Sequence, residues 1–422
     1  MAEAVEELNI ASLGSRGEGI VKSAQGAIYI PYALPGERVR ARVAGDRGTL
    51  LDILTPSHKR AAPLCPYFGD CGGCAAQHMN PVLYGQWKRD ILLRALAQAH
   101  VETDVHPLVD AHGEGRRRAT FHARYTSEGT SVGYMQARAH RVVAIETCPI
   151  LAPSMSAALA SAREIARALH PLGKPLDIAV TATLAGLDID FRGAGALDFT
   201  LRQSLIAVAG RLDLARLSSH GEILIERRAP EVLMGAARVT PPPGGFLQAT
   251  AEGERVLAAL AIEAVEGERV ADLFCGAGAF ALPLAERFKV HAVELDAGAL
   301  AALTRAARDT RGLLPMSQEP RDLFRRPLTP EELKRFDTVL FDPPRAGAAA
   351  QAAEIAKSGA PRVIAISCNP ATFARDARTL IDGGYRLERA TPIDQFRFSP
   401  HLEIVGVFTR PAEKKRPRGL LG

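Results

Sequence analysis

The sequence predicts a multidomain α/β protein with an N-terminal β-barrel, a central β-rich domain and a C-terminal doubly wound, Rossmann-like domain. Three observations lead to this prediction. Glycine turns separate short apolar segments near the N-terminus, β-like segments dominate the middle, and strand and helix patterns alternate after residue 245. The 422 residues are also too many for one ordinary domain.

The boundaries of the predicted domains follow from local patterns. Turn-spaced apolar segments, such as 27–31, predict the small barrel, and the proline-rich residues 56–66 lead into a group of cysteines. Apolar residues at four-residue steps predict a helix over 82–99, for which the C-terminal domain is a candidate packing partner. Three prolines and two glycines make residues 241–245 a stiff break. The predicted division is 1–57, 58–240, 241–410 and a basic tail over 411–422.

Composition and charge exclude several classes of protein. Hydrophobic residues make up 47% and charged residues 23%, as in globular proteins rather than disordered or fibrous ones. No apolar run reaches the ~18 residues that a membrane span needs, and the acidic N-terminus lacks the features of a secretion signal. We therefore expect a cytoplasmic protein with no membrane association, and no obligate protein partner is indicated. The net charge of +5 is compatible with a polyanionic partner.

A glycine turn after a buried-strand pattern predicts a cofactor site. The apolar strand 270–274 precedes Gly276 and Gly278, and the next strand ends at Glu294. Such glycines let a ligand approach the backbone, and an acidic residue at that point accepts hydrogen bonds from ribose hydroxyls. A nicotinamide enzyme usually has a third glycine and binds a pyrophosphate there, whereas this turn continues with Ala279. The shorter turn fits S-adenosylmethionine, which carries no phosphate, better.

Two later strands of the same pattern end in residues that suit a substrate site. Asp342 follows the fourth strand and opens a rigid Asp-Pro-Pro turn. Cys368 follows the strand 362–366, at the edge where α/β enzymes carry out their chemistry. A buried structural cysteine is the common alternative, but the polar neighbours Ser367 and Asn369 argue against it.

The thiol of Cys368 indicates which atom a methyltransferase of this kind would modify. Carbon-5 of uracil is a poor nucleophile, but a thiolate that adds to carbon-6 makes it nucleophilic. Methyltransferases that act on exocyclic amines use a related Asp/Asn-Pro-Pro turn without a cysteine, so the cysteine favours pyrimidine carbon-5 chemistry. The carbon-5 proton must then be removed by a general base, for which His401 and Glu403 are candidates.

Four motifs together resemble those of the RNA 5-methyluridine methyltransferase family. In chain order they are Asp272-Leu273-Phe274-Cys275-Gly276-x-Gly278, Asp342-Pro343-x-Arg345-Ala346-Gly347, Ser367-Cys368-Asn369-Pro370 and His401-Leu402-Glu403. The resemblance covers almost the whole chain and is greatest to the ribosomal-RNA branch, which has an N-terminal TRAM (OB-like) domain and an iron-sulfur cluster. It implies that Cys368 is the nucleophile and Glu403 the general base.

The resemblance also implies a set of cofactor contacts. The residues implied to bind S-adenosylmethionine are Gln248, Phe274, Gly276, Gly278, Glu294, Asp322 and Asp342. Asp322 occupies the position near the adenine. Two departures from the family pattern are Ala279, where asparagine is usual, and a weak third strand over 313–320.

Four of the six cysteines have a spacing that indicates a metal centre. Cys65, Cys71 and Cys74 lie within ten residues of one another, and Cys148 follows far downstream. Four thiolates are enough for an iron-sulfur cluster or a structural zinc, and the spacing alone does not exclude zinc. The resemblance implies a 4Fe-4S cluster on these four residues.

A basic stretch and the resemblance together predict RNA as the partner. The basic residues expected to contact phosphate are Arg116, Arg117, Arg118, Arg124, Arg138, His140 and Arg141. The expected substrate is one uridine of ribosomal RNA, of the 23S type, splayed out of its stack to reach Cys368. Two alternatives remain: methylation of transfer RNA by the same chemistry, and an inactive ribosome-associated RNA-binding protein. The barrel and the cysteines favour ribosomal RNA, because the transfer-RNA branch of the family typically lacks both. The presence of both Cys368 and Glu403 argues against an inactive protein.

Overall fold

The computed structural model describes residues 4–23, 26–127, 129–137, 139 and 141–411, and these form three large β-sheets and a small ribbon. The predicted basic tail beyond residue 411 and the predicted phosphate contacts Arg138 and His140 lie outside the described residues.

The N-terminal sheet has six strands. They are β1 (Ala4–Asn9), β2 (Ser12–Leu13), β3 (Gly19–Ser23), β4 (Gly26–Ile30), β5 (Arg38–Ala44) and β6 (Arg47–Thr55). Their order is β1-β5-β6-β4-β3-β2. Side chains of β5 alternate between exposed and buried, because successive residues of a strand face opposite sides of the sheet. The buried side, including Val39 and Ala41, packs on Ile30 in a small core.

The chain then leaves this sheet and passes to the C-terminal part of the molecule. Helix α1 (Pro81–Gln98) starts at the N-cap Asn80, whose side-chain oxygen accepts a hydrogen bond from the Leu83 amide at 2.9 Å. Two short strands follow, β7 (Asp104–Val105) and β8 (Val109–Asp110).

The central sheet has seven strands, as the β-rich sequence predicted. They are β9 (Arg118–Thr126), β10 (Gly129–Met135), β11 (Val142–Ala144), β12 (Leu176–Thr183), β13 (Gly186–Arg192), β14 (Arg216–Ser219) and β15 (Glu222–Glu226). Their order is β11-β10-β9-β12-β13-β14-β15. Helices α2 (Ala158–Ala168) and α3 (Phe199–Arg211) accompany this sheet, with 3₁₀ turns at Pro153–Met155 and His170–Leu172. A two-stranded ribbon, β16 (Val232–Met234) and β17 (Ala237–Val239), leads to the C-terminal part.

The C-terminal part alternates helices with strands. The strands are β18 (Arg269–Leu273), β19 (Lys289–Glu294), β20 (Met316–Pro320), β21 (Thr338–Phe341), β22 (Arg362–Ser367), β23 (Arg386–Asp394) and β24 (Glu403–Thr409). The helices are α4 (Ala251–Ala264), α5 (Ala281–Ala285), α6 (Ala297–Asp309), α7 (Pro330–Leu333), α8 (Ala349–Ser358) and α9 (Pro370–Asp382). The weak third strand is present as β20, in parallel register with β19.

The strand order of this third sheet determines where a ligand can bind. The order is β20-β19-β18-β21-β22-β24-β23-β7, and β8 also pairs with β23. Strands β18 to β22 run parallel, and the chain order reverses between β18 and β21. In such sheets the ligand crevice lies beyond the carboxyl ends of the strands at this switch point. Strand β24 is antiparallel and inserts between β22 and β23.

The segment 81–110 packs on and pairs with this sheet, although the sequence-based division places it in the central domain. Strands β7 and β8 pair with the edge strand β23, and Leu92 and Leu96 of α1 are buried in the same core as β21 and β22. The edge of β23 needs a partner for its backbone groups, and this early segment supplies it. None of the helices within the described ranges has the length and hydropathy that a membrane span requires.

Candidate active site

A cavity of about 500 Å³ lies at the switch point of the C-terminal sheet. Most of the residues that the sequence assigned to the site line this one cavity. They are Gln248, Phe274, Gly276, Glu294, Asp322, Asp342, Cys368 and Glu403. The loops after β18, β19, β20, β21 and β22 and the start of β24 therefore converge, as the strand-end positions of these residues predicted.

The glycine turn after β18 contributes Phe274 and Gly276 to the wall of the cavity. Phe274 has φ +63°, an uncommon conformation for a residue with a side chain. Gly276, with φ +55°, has open space where a Cβ would lie. Gly278 is different, because a Cβ there would lie 2.6 Å from Leu303 Cδ1 of helix α6. Gly278 thus permits close packing of the turn against α6, and its cofactor contact stays a prediction.

The carboxylate of Glu294 is held by the backbone around it. Its Oε2 accepts a hydrogen bond from Gly276 N at 3.0 Å, and its Oε1 accepts from Leu295 N and Asp296 N at 2.7 and 2.8 Å. A carboxylate has further lone pairs beyond these bonds. The geometry therefore leaves Glu294 able to accept hydroxyl groups from a ligand in the cavity.

Large exposed apolar side chains form another part of the cavity wall, and no role was predicted for them from the sequence. Phe246, Leu295 and Phe324 are large, exposed and part of the cavity wall. The rings of Phe324 and Phe274 lie 5.4 Å apart, and Asp322 Oδ1 accepts a hydrogen bond from Phe324 N at 3.0 Å. Exposed apolar groups around a cavity are typical of ligand sites. The nearness of Phe324 to Asp322 in the sequence was the available signal.

Strand pairing brings together the two residues proposed to react. In the antiparallel pair β22 and β24, Ser367 lies opposite Ile404. Cys368 is the residue after Ser367 and Glu403 the residue before Ile404, and the two side chains are close enough for the Glu403 carboxyl to raise the pKa of the Cys368 thiol. Both side chains line the cavity.

Two carboxyl groups in the cavity, those of Glu403 and Asp342, have pKa values shifted toward their protonated forms. Burial raises the pKa of Glu403 well above its usual range, the nearby Asp342 carboxyl raises it further, and the Gln395 hydrogen bond and the Lys88 charge oppose the rise. Burial also raises the pKa of Asp342 to about 7. Two close carboxyl groups in a low-dielectric site do not both ionise readily. Whichever group is ionised is a stronger base than an exposed carboxylate.

The Cys368 thiol is also shifted toward its protonated form. Burial raises its pKa to about 11, Glu403 and Asp342 contribute to the rise, and Arg345 opposes it. A thiolate is the reactive form of cysteine, so the cationic Arg345 favours nucleophilic attack. Arg345 lines the cavity beside Cys368. Arg345 belongs to one of the four sequence motifs, but no role was predicted for it.

A second cavity, of about 600 Å³, opens on the other side of Cys368. Cys368 and Arg345 line both cavities. The far wall of the second cavity comes from the N-terminal sheet and helix α1, and includes Arg16, Tyr29 and Arg94. Cys368 is therefore accessible from two sides, one of which is walled by elements outside the C-terminal part.

The four clustered cysteines line a third cavity, of about 100 Å³. They are Cys65, Cys71, Cys74 and Cys148, all free thiols. The chain thus brings Cys148 to the three that are adjacent in sequence. Burial, assisted by the neighbouring cysteines, raises the pKa of Cys74 to about 11, and a hydrogen bond with Gln77 opposes this rise. Within the described ranges, no group of three or more Cys, His, Asp or Glu side chains is arranged so that it could hold a metal ion.

The arginine run expected to contact phosphate is largely turned inward. Arg117 is buried and forms an ion pair with Glu254 at 2.6 Å. Arg118 donates to the Leu247 carbonyl and lies over the Phe246 ring, 5.0 Å from its centre. These residues connect the central sheet to the cofactor-cavity wall, so the phosphate-contact prediction is wrong for Arg117, whose charge is neutralised internally.

Comparison with known proteins identifies the family. A family model described as tRNA (Uracil-5-)-methyltransferase matches residues 241–411. The chain is 47% identical to an uncharacterised RNA methyltransferase of Brucella suis, with 96% of this chain and 98% of that protein covered. It is 32% identical to the 23S rRNA (uracil(1939)-C(5))-methyltransferase RlmD of Edwardsiella ictaluri, with 95% of each covered. The chain belongs to the RNA uracil-5-methyltransferase family.

A solved structure shares the fold of this uracil-5-methyltransferase over its length. The tRNA (uracil-54, C5)-methyltransferase of Pyrococcus abyssi, in complex with S-adenosyl-L-homocysteine, has a TM-score of 0.74 and 21% identity, with 96% of this chain and 99% of that chain covered. The expected mixed α/β methyltransferase fold and the family resemblance are therefore confirmed.

Proposed function

We propose that this uracil-5-methyltransferase uses S-adenosylmethionine to methylate carbon-5 of one uridine in 23S-type ribosomal RNA through a covalent adduct with Cys368. The observation that carries the proposal is the position of Cys368. It lies between two cavities, one of which Glu403 also lines, and is accessible from both sides.

The reaction follows from the residues around that cysteine. The Cys368 thiolate adds to carbon-6 of uracil, and the electrons of the carbon-5–carbon-6 double bond move toward the carbonyl at carbon-4. When bound, S-adenosylmethionine would supply the electrophilic methyl group to carbon-5, and its sulfur would keep the electrons of the broken bond, which leaves S-adenosylhomocysteine. Glu403 removes the carbon-5 proton, the electrons of that bond restore the double bond, and Cys368 leaves as a thiolate.

The first cavity has the features expected for S-adenosylmethionine. Glu294 offers acceptors beside the open space at Gly276, and Phe324 and Leu295 form an apolar wall near Asp322. The Pyrococcus abyssi relative is described with S-adenosyl-L-homocysteine, the product of such a cofactor. We propose that the ribose lies at Glu294 and the adenine at the apolar wall.

The second cavity is the proposed entry for the target uridine. Arg16 and Arg94 can contact phosphates, and Tyr29 offers a ring on which a base can stack. The guanidinium group of Arg47 lies 5.0 Å from the centre of that ring. A base reaches Cys368 from this side only if it leaves its helical stack. Recognition of a splayed-out uridine is therefore part of the proposal.

Ribosomal RNA is the proposed substrate because of the Edwardsiella ictaluri relative, which is similar along 95% of both chains and acts on 23S rRNA. Transfer RNA is the second candidate, favoured by the description of the family model. Both candidates use the same residues.

Mapping of 5-methyluridine in cells that lack this protein distinguishes the candidates. We expect one 5-methyluridine of the large-subunit ribosomal RNA to disappear, and to return with the wild-type gene but not with the Cys368→Ala variant. Transfer RNA modification serves as the internal control and should be unchanged. Loss confined to transfer RNA would establish the second candidate. No loss in either RNA would favour an RNA-binding protein without activity.

We further propose that Cys65, Cys71, Cys74 and Cys148 hold a 4Fe-4S cluster. A single tetrahedral zinc, with Zn–S bonds of about 2.3 Å, would draw four sulfurs to within ~3.8 Å of one another. The four thiols are not already arranged as a metal-binding group within the described residues, and the support for a group larger than one ion is the cavity of about 100 Å³ that they share. Bound iron would also favour the thiolate forms that burial disfavours.

Protein purified without air is expected to be brown and to contain about four irons per chain, as a 4Fe-4S centre requires. Cys148→Ser should lower the iron content and the melting temperature, because Cys148 ties the central sheet to the distant residues 65–74. Binding of S-adenosylmethionine, measured by calorimetry, should persist. Cys368→Ala is the matched control and should keep its iron. Colourless wild-type protein with one zinc per chain would contradict this proposal.

A further inference from the structure

Helix α1 places a charged side chain inside the C-terminal part of the molecule. Lys88 is fully buried, and it lies 306 residues before its ionic partner Asp394. Burial of an ammonium group is unfavourable unless every donor is satisfied. The acceptors of the Lys88 ammonium group therefore show which part of the chain it stabilises.

The ammonium group of Lys88 joins the two ends of one turn. Nζ donates to Asp394 Oδ1 at 2.8 Å and to the Phe396 carbonyl at 3.4 Å, both near the start of the turn over 394–401. It also donates to the carbonyl of His401, at the other end. An ammonium has three N–H donors, and each has an acceptor here.

Contacts from outside the turn add to its internal hydrogen bonds, such as that from Phe396 N to Asp394 Oδ1 at 3.0 Å. Phe398 has φ +63°, which costs energy for a residue with a side chain. Its amide donates to the hydroxyl of Tyr84, also on α1, at 2.8 Å, and that hydroxyl donates to Asp394 Oδ2 at 2.5 Å. Its carbonyl accepts from Ala75 N at 2.7 Å. Elements outside the C-terminal part thus stabilise the turn.

Inside the turn, Gln395 connects the proposed base to the cofactor side. Its Nε2 donates to Glu403 Oε1 at 3.1 Å and to Gln248 Oε1 at 2.6 Å. Its Oε1 accepts from Ala249 N at 2.8 Å. A backbone amide can only donate, so the carbonyl of Gln395 must face Ala249 and its NH₂ group must face Glu403. The position of Gln395 therefore determines where the Glu403 carboxylate points.

We propose that Lys88 is a positioning residue for the removal of the carbon-5 proton, acting through Asp394 and Gln395 on Glu403. In the structure it lines neither of the two cavities that meet at Cys368. The inference rests on the proposed function, in which Glu403 accepts that proton while Cys368 is released. A residue that acts only at this step leaves the earlier steps, addition of the thiolate and methyl transfer, intact.

The test separates the steps by using RNA with 5-fluorouridine at the target position, where carbon-5 carries a fluorine that cannot leave as a cation in place of the proton. In the Lys88→Met variant, formation of this fluorinated adduct should stay within about threefold of wild type, while turnover on normal RNA falls about tenfold to hundredfold. With normal RNA, a methylated covalent complex should accumulate on denaturing gels.

Arg89→Met is the matched control on the same helix. Arg89 donates to the carbonyls of Val105 and His106, so it ties α1 to the sheet edge without contacting the 394–401 turn. Its turnover should remain near wild type. If Lys88→Met fails to fold, Gln395→Met interrupts the same connection inside the turn and should give the same accumulation of adduct.

Several outcomes would overturn the inference. Equal losses of fluorinated adduct and turnover in Lys88→Met, or equal effects in Arg89→Met, would make Lys88 a structural residue only. Unchanged turnover in the folded Lys88→Met and Gln395→Met variants would also reject the positioning role. Failure of the proposed function is distinguishable, because wild-type enzyme would then methylate RNA without forming any fluorinated adduct.

Discussion

Cys368→Ala is expected to abolish methyl transfer and to prevent any covalent RNA complex. Without the thiolate, carbon-5 of uracil does not become nucleophilic, so turnover should fall by roughly four orders of magnitude or more. The measurements are transfer of a labelled methyl group to RNA and the appearance of a slow-migrating RNA–protein band on denaturing gels, with 5-fluorouridine RNA as the trap.

The variant must be shown to remain folded. The cofactor-side residues, such as Glu294, are held by backbone hydrogen bonds that do not involve Cys368, so S-adenosylmethionine binding should be retained. An adduct formed by Cys368→Ala would place the nucleophile elsewhere. Methylation of RNA by wild-type enzyme without any adduct would reject covalent catalysis.

Glu403→Gln is expected to have the opposite effect on the adduct. Addition of Cys368 and methyl transfer can still occur, but the carbon-5 proton is not removed, because an amide is not a base. A methylated covalent complex should accumulate after one turnover, and steady-state turnover should fall by about 10²- to 10⁴-fold. A labelled methyl group found in the slow-migrating band would establish that the block follows methyl transfer.

The fluorinated complex of the wild-type enzyme is the reference for this band, since both species are stopped at the same step. Wild-type turnover by Glu403→Gln would assign the base elsewhere. His401 would then be the first residue to test. It lines the second cavity, and burial, together with the charges of Arg345, Lys88 and Arg116, lowers its pKa, which leaves it neutral and able to accept a proton.

The strand-end residues could be predicted because their signals are local. A glycine or a proline follows an apolar run within four residues at each of the sites around Gly276, Asp342 and Cys368, and parallel strands bring such ends to one edge. The third strand, β20, gave almost no signal. Its residues Met316–Pro320 are half-exposed or exposed at the edge of the sheet, so they lack the apolar run of a central strand.

The contacts that depend on distant pairing could not be predicted. The closeness of Cys368 and Glu403 follows from the insertion of β24 between β22 and β23, which no local pattern shows. The carboxylate that pairs with the buried Arg117, that of Glu254, lies 137 residues away in the sequence. The arginine run therefore looked like an exposed, phosphate-binding surface. Lys88 was unpredictable for the same reason.

The early segment that completes the C-terminal sheet has a consequence for protein synthesis. Thr103, next to β7, bonds to Leu387, 284 residues later in the chain. At elongation rates of about 5–20 residues per second, the ribosome needs roughly 15–60 s to make the intervening chain. For that interval the apolar face of α1, with Leu92 and Leu96, lacks its native partner. A nascent chain of this protein therefore carries an apolar helix face without its native cover until translation is almost complete.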